Sequence, residues 1–269
     1  MWRRILGIFL CFSVNAQITF TAANDMFLWG NTDKSYTHGT QLAYNSGDKQ
    51  YFIFQNIYTP EDIQSTKLNE KDRRYSGVLA LGVELKRGRE YGGIVDRYGL
   101  GMMGPSAQAE WSQNTVHSIR NIPTAKGWGN NQLDDRPVFL LSREFIIIND
   151  HPNFQVGQSL KLDGGNLFTG AKYSIPVRLG YNLQDYSSNR IKIEAVSDWS
   201  FGLEWVTAAQ YVGYDATLEG VNKEELYGEY SIGGFLNFKK FGVGIYRVTR
   251  TEQWEDGKGS NFGTISLKF

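Results

Sequence analysis

The chain has 269 residues, and its 28 basic residues balance its 28 acidic ones, which gives no signature of nucleic-acid binding. After the N-terminal segment no apolar run is long enough to span a bilayer as a helix, and the mean hydropathy is negative. Thirty glycines and 14% aromatic residues suit instead a transmembrane β-barrel, whose strands alternate apolar outward and polar inward residues.

The first sixteen residues have the features of a secretory signal peptide. Arg3 and Arg4 form a positive start, an apolar stretch spans residues 5–14, and a small-residue cleavage site ends at Ala16. We therefore divide the chain into a signal peptide at 1–16 and an outer-membrane β-barrel at 17–269. The cysteine of the chain, Cys11, lies in the apolar stretch, so the rest of the chain has neither disulfides nor thiolate chemistry. A lipid anchor on Cys11 is the minor alternative.

Period-two alternation of apolar residues predicts the strands. It is clearest in Tyr173, Ile175, Val177, Leu179 and Tyr181, which alternate with polar or small residues. Twelve antiparallel strands are predicted, most of about ten residues, which is the length that a tilted membrane strand needs. A soluble β-sandwich or a secreted barrel is the alternative, and the aromatic and aliphatic outward faces disfavour it. The approximate strand ranges are 17–27, 36–46, 50–58, 75–86, 91–103, 136–149, 153–163, 170–181, 190–213, 227–238, 241–252 and 261–269.

An even number of strands places both chain termini in the periplasm. The last strand carries Ile265 and Leu267 in alternation and stops on Phe269, an end that resembles the signal which bacterial outer-membrane barrels offer their assembly machinery. Long loops are expected outside the cell, and short turns are expected in the periplasm. The short turns are 47–49, 87–89, 149–151 and 239–240, and the longest loops are 59–74, 104–135 and 214–226.

Three polar clusters and one predicted helix fall at the outer ends of strands or in outer loops. After a break at Gly104 and Pro105, the sequence predicts a short helix with Ser106 as its N-cap. Gln113 and His117 lie four residues apart and therefore share one face of that helix. We expect these parts to form one hydrolytic site that faces the outer leaflet. The three polar clusters lie at 24–25, 36–39 and 72–77.

The order and spacing of several short motifs resemble those of the outer-membrane lipid A 3′-O-deacylase family. The resemblance covers essentially the whole chain after the signal peptide. The motifs that carry it are ANDMF at 23–27, YTHG at 36–39, DRRYSG at 72–77, GMMGPS at 101–106, QNTVH at 113–117, KGW at 126–128, RLGYNL at 178–183, YDATLEG at 214–220 and RTE at 250–252.

The resemblance implies a twelve-stranded barrel that removes the 3′-linked acyl or acyloxyacyl group of lipid A in a calcium-dependent hydrolysis. It implies His117 as the general base and Asp25 as a ligand of Ca²⁺. Asn24, Thr37 and Gln113 would be the polar residues beside them. The chain departs from the family pattern in two places. Arg74 stands where a proline is more usual, and Gly129 stands where an acidic residue is expected.

The chemistry of ester hydrolysis agrees with these roles. The reaction needs a base that is effective near neutral pH, and an imidazole with its ordinary pKa near 6.5 is suited to it. The chain has no G-x-S-x-G nucleophile elbow, so water is the simpler nucleophile. A hard cation held by carboxylate and carbonyl oxygens, with Asp25 as one ligand, would polarise the ester carbonyl.

A basic cluster of Lys71, Arg73 and Arg74 stands next to Ser76 at the outer end of a predicted strand. Guanidinium groups pair with phosphate oxygens through two parallel hydrogen bonds, so we expect this cluster, with Ser76, to contact the phosphates of lipopolysaccharide. Plain solvation of the loop is the alternative.

Asn24 and Asp25 present a geometric difficulty, because successive residues of a regular strand point to opposite faces. We expect the strand to end here, since residues 28–31 have the sequence of a turn.

Two other functions remain open. One is an outer-membrane phospholipase with a Ser–His pair, for which Ser35, Ser106 and Ser112 are candidate nucleophiles. The other is a non-enzymatic barrel, a pore or an adhesin, in which His117 is an ordinary surface histidine. Under the favoured interpretation the partners are lipopolysaccharide, the lipids of the outer membrane and the barrel assembly machinery, with no nucleic acid.

Overall fold

A computed structural model gives the fold and describes residues 17–27, 35–89, 91–149, 151–183, 196–239 and 241–269. The predicted signal peptide, 1–16, lies outside these ranges. Twelve antiparallel strands form a closed barrel in which each strand pairs with its neighbours in the chain and β1 pairs with β12. Their bounds are β1 Gln17–Asn24, β2 Ser35–Ser46, β3 Lys49–Thr59, β4 Ser76–Arg89, β5 Gly92–Met103, β6 Arg136–Asn149, β7 Phe154–Gly165, β8 Phe168–Tyr181, β9 Val196–Asp215, β10 Leu226–Lys239, β11 Phe241–Arg250 and β12 Ser260–Lys268.

The predicted fold class is confirmed. Of two predicted element boundaries, one is confirmed and one is wrong. β1 ends at Asn24 because Asp25–Phe27 form a 3₁₀ turn, so the expected strand end is confirmed. The predicted turn at 87–89 is wrong, because β4 continues to pair with β5 as far as Arg89 and Gly92. The predicted turn at 28–31 and the first residues of the predicted strand 190–213 lie outside the described residues.

Side chains alternate between the outer wall and the lumen. Leu81, Leu203 and Ile245 are each more than half exposed on the outer wall. A continuous apolar surface of this kind belongs against lipid, since a soluble barrel would bury such side chains. The lumen holds ion pairs instead, such as Arg97 with Glu84 at 3.3 Å. The alternation is therefore that of a transmembrane barrel.

Two helices, α1 Ala109–Ile119 and α2 Trp128–Asn131, lie in the loop between β5 and β6. The predicted N-cap at Ser106 is wrong. Pro105–Ala107 form a separate 3₁₀ turn, and Gln108 then takes a left-handed backbone conformation with φ of 57°, so α1 begins only after it. Ser106 bonds Asp135 instead, from its backbone N–H at 2.7 Å and its hydroxyl at 2.8 Å. Within the described residues, no helix combines the length and the apolar character needed to cross a bilayer.

The connections differ in length at the two ends of the barrel. β2 and β3 are joined by Gly47 and Asp48 alone, and Gly47 has a φ of 60°, as tight hairpin turns require. The loops 60–75, 104–135 and 216–225 lie at the opposite end, and one long connection at the Gly47 end joins β8 to β9 across positions 182–195. The polar clusters of the predicted site therefore meet at one end of the barrel.

Candidate active site

Four residues near the long-loop end form a row across neighbouring strands. Asn24 of β1 pairs with His38 of β2, His38 pairs with Ile57 of β3, and Ile57 pairs with Gly77 of β4. Period-two alternation puts these four on the outer wall, because each shares its strand face with an exposed apolar side chain. We call them the outer-wall row. The exposed side chains are Phe20, Leu42, Ile53 and Leu81.

Helix α1 lies against the Gly77 end of the outer-wall row. A Cβ on residue 77 would lie 2.3 Å from the Cβ of Ala109, so only glycine permits this approach. Gln55 Nε2 donates a hydrogen bond to the carbonyl oxygen of Ala107 at 2.6 Å, which holds the start of the helix to β3. Ile57 is buried beneath the helix, in one cluster with Ala109. The helix therefore rests on the lipid-facing wall rather than over the lumen.

The side of α1 that meets the wall carries Ala109, Gln113 and His117, all buried. This confirms that Gln113 and His117 share a face. His117 Nδ1 lies 2.7 Å from the carbonyl oxygen of Pro123. A carbonyl oxygen can only accept, so Nδ1 carries the hydrogen and Nε2 holds the lone pair of the neutral ring. His117, which is 3% exposed, thus presents one oriented basic nitrogen.

Gln113 supplies a hydrogen-bond donor next to this histidine. Its Oε1 accepts from the indole N–H of Trp128 at 2.8 Å, which fixes the amide. Its Nε2 is buried and has no hydrogen-bond partner among the described residues. A buried donor left unsatisfied costs about 1–3 kcal/mol, so an acceptor on a bound substrate would restore stability here.

His38 belongs to the cluster 36–39 that sequence analysis placed in the site, but it was given no role of its own there. Asn24 Nδ2 donates to His38 Nδ1 at 3.2 Å, and His38 Nε2 lies 2.5 Å from Thr40 Oγ1. Because Nδ1 accepts, Nε2 carries the hydrogen and donates to Thr40. His38 is therefore the opposite tautomer to His117, and both of its ring nitrogens are engaged. The signal in the sequence is alternation, which places His38 on the outward face of β2 with Leu42.

Backbone irregularities place Asp25 and Thr37 beside the outer-wall row. Asp25 opens the 3₁₀ turn after β1 and is buried. The register of β2 against β3 shifts between Tyr36 and His38, and Thr37 occupies this bulge. The Thr37 hydroxyl lies 2.6 Å from that of Thr59. Neither residue follows the simple alternation of its strand.

Comparison with known proteins identifies the family. A family model described as outer membrane protein LpxR matches residues 6–269. The chain belongs to this LpxR family. The solved structure of LpxR from Salmonella typhimurium is 20% identical and has a TM-score of 0.79, and the match covers 94% of this chain and 99% of that chain.

Other solved structures are less similar to this LpxR-family chain. The KdgM porin is 8% identical with a TM-score of 0.42, and the NanC porin is 9% identical with a TM-score of 0.43. Both matches cover 94% of this chain and 98% of the porin. No curated protein sequence matches the chain. Family and fold together place the protein in the outer membrane.

In this LpxR-family barrel the residues predicted to bind phosphate occupy different environments. The Lys71 side chain is 76% exposed. Arg74 is half-buried and donates from Nη2 to the carbonyl oxygen of Gln132 at 2.8 Å. Arg73 is 2% exposed and lines a cavity in the lumen, and Ser76 is fully buried. Only Lys71 and Arg74 of this set therefore reach the outer surface.

Asp25 is a single buried carboxylate at the position predicted to bind a cation. Within the part of the chain that the structure describes, no three His, Cys, Asp or Glu side chains converge to hold a metal ion. Gly129 lies in α2 with open space around it, so no carboxylate comes from that position. Ca²⁺ accepts amide, hydroxyl, backbone carbonyl and water oxygens beside a carboxylate. Asn24 and Thr37 would offer such oxygens next to Asp25.

Helix α1 has two further sides besides the one on the wall. Trp111 and Ile119, which are 68% and 76% exposed, project from an apolar side. Glu110 is exposed on a polar side, about 180° around the helix from Ile119. Helices that lie in the plane of a membrane surface divide into one apolar and one polar side in this way.

Proposed function

We propose that this LpxR-family barrel is a lipid A 3′-O-deacylase, a carboxylic ester hydrolase that removes the 3′-linked acyl or acyloxyacyl group of lipopolysaccharide. The position of His117 carries the proposal. Its ring is buried on the side of the loop helix that faces the lipid-facing wall, and we propose that the fatty ester of a membrane lipid enters there. Membership of the LpxR family supports the assignment.

His117 acts as the general base in this mechanism. Its Nε2 accepts a proton from a water molecule as the water oxygen attacks the ester carbonyl carbon. The hydrogen bond from Nδ1 to the Pro123 carbonyl keeps the ring in the required tautomer and stabilises the imidazolium. When the tetrahedral intermediate collapses, Nε2 returns the proton to the sugar oxygen that leaves. The products are a free fatty acid and a 3′-hydroxyl group.

Polar neighbours stabilise and orient the reacting ester. Gln113 Nε2 is the buried donor without a partner, and we assign it to the ester oxygen on which negative charge develops. Loss of one such donor typically costs about 10²–10³-fold in rate. Asn24 and Thr37 line the other side, where their polar groups hold the substrate against the wall.

Asp25 is proposed as a ligand of Ca²⁺. A bound Ca²⁺ would polarise the ester carbonyl and offset its developing charge. The buried Asp25 carboxylate and the oxygen donors beside it support this cation over softer metals. The proton transfers remain the task of His117.

The site is proposed to open toward the outer leaflet. Long loops of outer-membrane barrels lie outside the cell, and the site stands at the long-loop end. Trp111 and Ile119 would then enter the acyl region, while Lys71 and Arg74 would lie near lipid A phosphates. The terminal strand, with Phe269 exposed and packed edge-on at 6.1 Å from Phe241, suits recognition by the barrel assembly machinery.

Lipid A profiling tests the proposed function. The protein is expressed in a host that has no lipid A deacylase, and lipid A is analysed by mass spectrometry. We expect loss of the mass of the 3′-linked acyl or acyloxyacyl group and release of the matching fatty acid. A phospholipase would leave the lipid A mass unchanged while releasing phospholipid fatty acids, and a pore or adhesin would release neither.

A further inference from the structure

The outer half of the lumen contains a cavity of about 480 Å³, on the opposite face of the wall from the candidate active site. Its lining is rich in charge. Cations outnumber carboxylates there, which is unusual for a closed polar interior that has to balance its own charges. The charged residues are Arg73, Arg97, Lys161, Lys172 and Arg250 against Asp163 and Asp215.

Carboxylates just outside the cavity lining reduce its excess of positive charge but do not remove it. Glu229 pairs with Lys172 Nζ at 2.5 Å and with Arg250 Nε at 2.7 Å, so one carboxylate serves two cations. Arg97 and Lys161 each have a carboxylate of their own. The remaining cation is Arg73.

Arg73 is buried without a counter-ion. Among the described residues no carboxylate oxygen lies within 4.0 Å of its guanidinium. Its Nη2 donates to the carbonyl oxygen and the hydroxyl of Thr217 at 3.2 and 3.0 Å, and its Nε has no hydrogen-bond partner in that part of the chain. Burial lowers the pKa of Arg73, and the Asp215 and Asp72 carboxylates oppose that shift only in part. An anion in the cavity would offset the cost of this buried charge.

Two tyrosine rings connect Arg73 to Arg250. The Arg73 guanidinium lies 4.4 Å from the ring centre of Tyr58, and that of Arg250 lies 5.6 Å from the ring centre of Tyr36. The two rings meet edge to face with centres 5.5 Å apart. The two guanidinium groups therefore flank one tyrosine pair, and all four residues line the same cavity.

We propose that this luminal cavity binds one oxyanion, a phosphate or a phosphate ester, at the Arg73 guanidinium. Guanidinium groups bind phosphate oxygens through paired, charge-assisted hydrogen bonds. Tyr36, Tyr58 and Tyr227 add hydroxyl groups to the lining. The cavity falls in the size range of small-molecule sites, so it has room for a phosphorylated monosaccharide as well as for free phosphate. None of the residues that perform the proposed hydrolysis takes part.

Isothermal titration calorimetry on the folded barrel in detergent and phosphate-free buffer tests the proposal. The probes are inorganic phosphate, glucose 6-phosphate and uncharged glucose. We expect phosphate to bind with a Kd of about 1 mM or tighter. Tighter binding of glucose 6-phosphate identifies a sugar-borne phosphate as the ligand, and equal binding identifies phosphate itself. No binding of either at roughly tenfold above that Kd would overturn the site.

Two single-residue variants test whether phosphate binds at Arg73. Arg73→Gln should weaken phosphate binding at least about tenfold, because a buried charge-assisted contact is lost. Lys67→Gln, an exposed loop cation outside the cavity, is the matched control and should bind as the wild type does. Undiminished binding by folded Arg73→Gln would contradict the proposal.

A milder variant covers the case in which Arg73→Gln does not fold. Tyr58→Phe keeps the ring under the guanidinium and removes only the hydroxyl. It should weaken phosphate binding several-fold and reduce the rise in unfolding temperature that phosphate gives the wild type, because a ligand stabilises only the state that binds it. An unchanged affinity in this variant, together with no foldable Arg73→Gln, would count against the site. The readouts need no turnover, so the result is independent of lipid A hydrolysis.

Discussion

Gly77 on the outer wall and Ala109 at the start of α1 approach so closely that a Cβ on residue 77 would lie 2.3 Å from the Ala109 Cβ. The contact joins a barrel strand to a loop helix, and that helix carries His117. This contact sets how closely the helix can lie against the wall. The position of the proposed base therefore depends on a glycine that has no chemical role.

Gly77→Val should separate the helix from the wall. Valine suits a strand position, so the barrel should still fold and remain heat-modifiable on gels. Displacement of His117 by about 1 Å can cost about 10²-fold in rate, and we expect a loss of that size in lipid A hydrolysis. Gly234→Ala is the control, since a Cβ there meets only ordinary contacts of 3.5 and 3.6 Å. Full activity in folded Gly77→Val would show that close packing of α1 is not required.

The apolar side of α1 gives a second prediction. Replacing both Trp111 and Ile119 with Glu should reduce lipid A hydrolysis in cells several-fold, because charge is placed in the outer leaflet. Glu110→Gln changes the polar side of the same helix and should leave hydrolysis unaffected. In detergent micelles the difference in hydrolysis rate between the double variant and the control variant should become smaller. If the double variant and the control variant lose lipid A hydrolysis equally in cells, the cause is general damage to the helix and not a loss of membrane contact.

Orientation is tested by labelling whole cells. The chain after the predicted signal peptide has no cysteine, so single cysteines at Lys71→Cys and Lys239→Cys report position without background. Lys71 is exposed at the long-loop end and should react with an impermeant maleimide. Lys239 lies at the end of β10, at the short-turn end, and should react only after lysis. The reverse pattern would place the site in the periplasm.

Much of the barrel could be predicted because lipid and lumen impose a strict period of two on each strand. That constraint is local, so Phe20, Leu42 and Leu81 could be assigned outward from their neighbours alone. The helix start could not be predicted, since Gln108 takes a left-handed conformation that ends the 3₁₀ turn containing Ser106.

The placement of the site residues depended on distant contacts. The Gly77–Ala109 packing joins positions on two elements, and no local pattern encodes it. The pairing of Asn24 with His38 depends on strand register. Arg73 is expected at the surface by residue type, yet Thr217, Tyr58 and Trp254 enclose it. Register and long-range packing are set by the whole barrel, which is why no role was predicted for His38 and why Arg73 was expected at the surface.

Metal dependence is tested at Asp25. Chelation with EGTA should abolish lipid A hydrolysis and added Ca²⁺ should restore it. Ca²⁺ should also raise the unfolding temperature of the wild type, and a hundredfold excess over Kd corresponds to about 2.7 kcal/mol of stabilisation. Asp25→Asn should lose both effects, and Asp256→Asn, an exposed loop residue, should keep them. Full turnover after exhaustive chelation would remove Ca²⁺ from the mechanism.

The role of His117 as the base is tested most directly by the rate of lipid A 3′-deacylation in purified, heat-modifiable His117→Gln. Glutamine keeps the polarity and approximate size of the ring but cannot take a proton from water. We expect the rate to fall by about 10²–10⁴-fold, the usual contribution of a general base, while His151→Gln, in an exposed turn, keeps the wild-type rate. A folded His117→Gln protein that retains more than about a tenth of the wild-type rate would contradict this role.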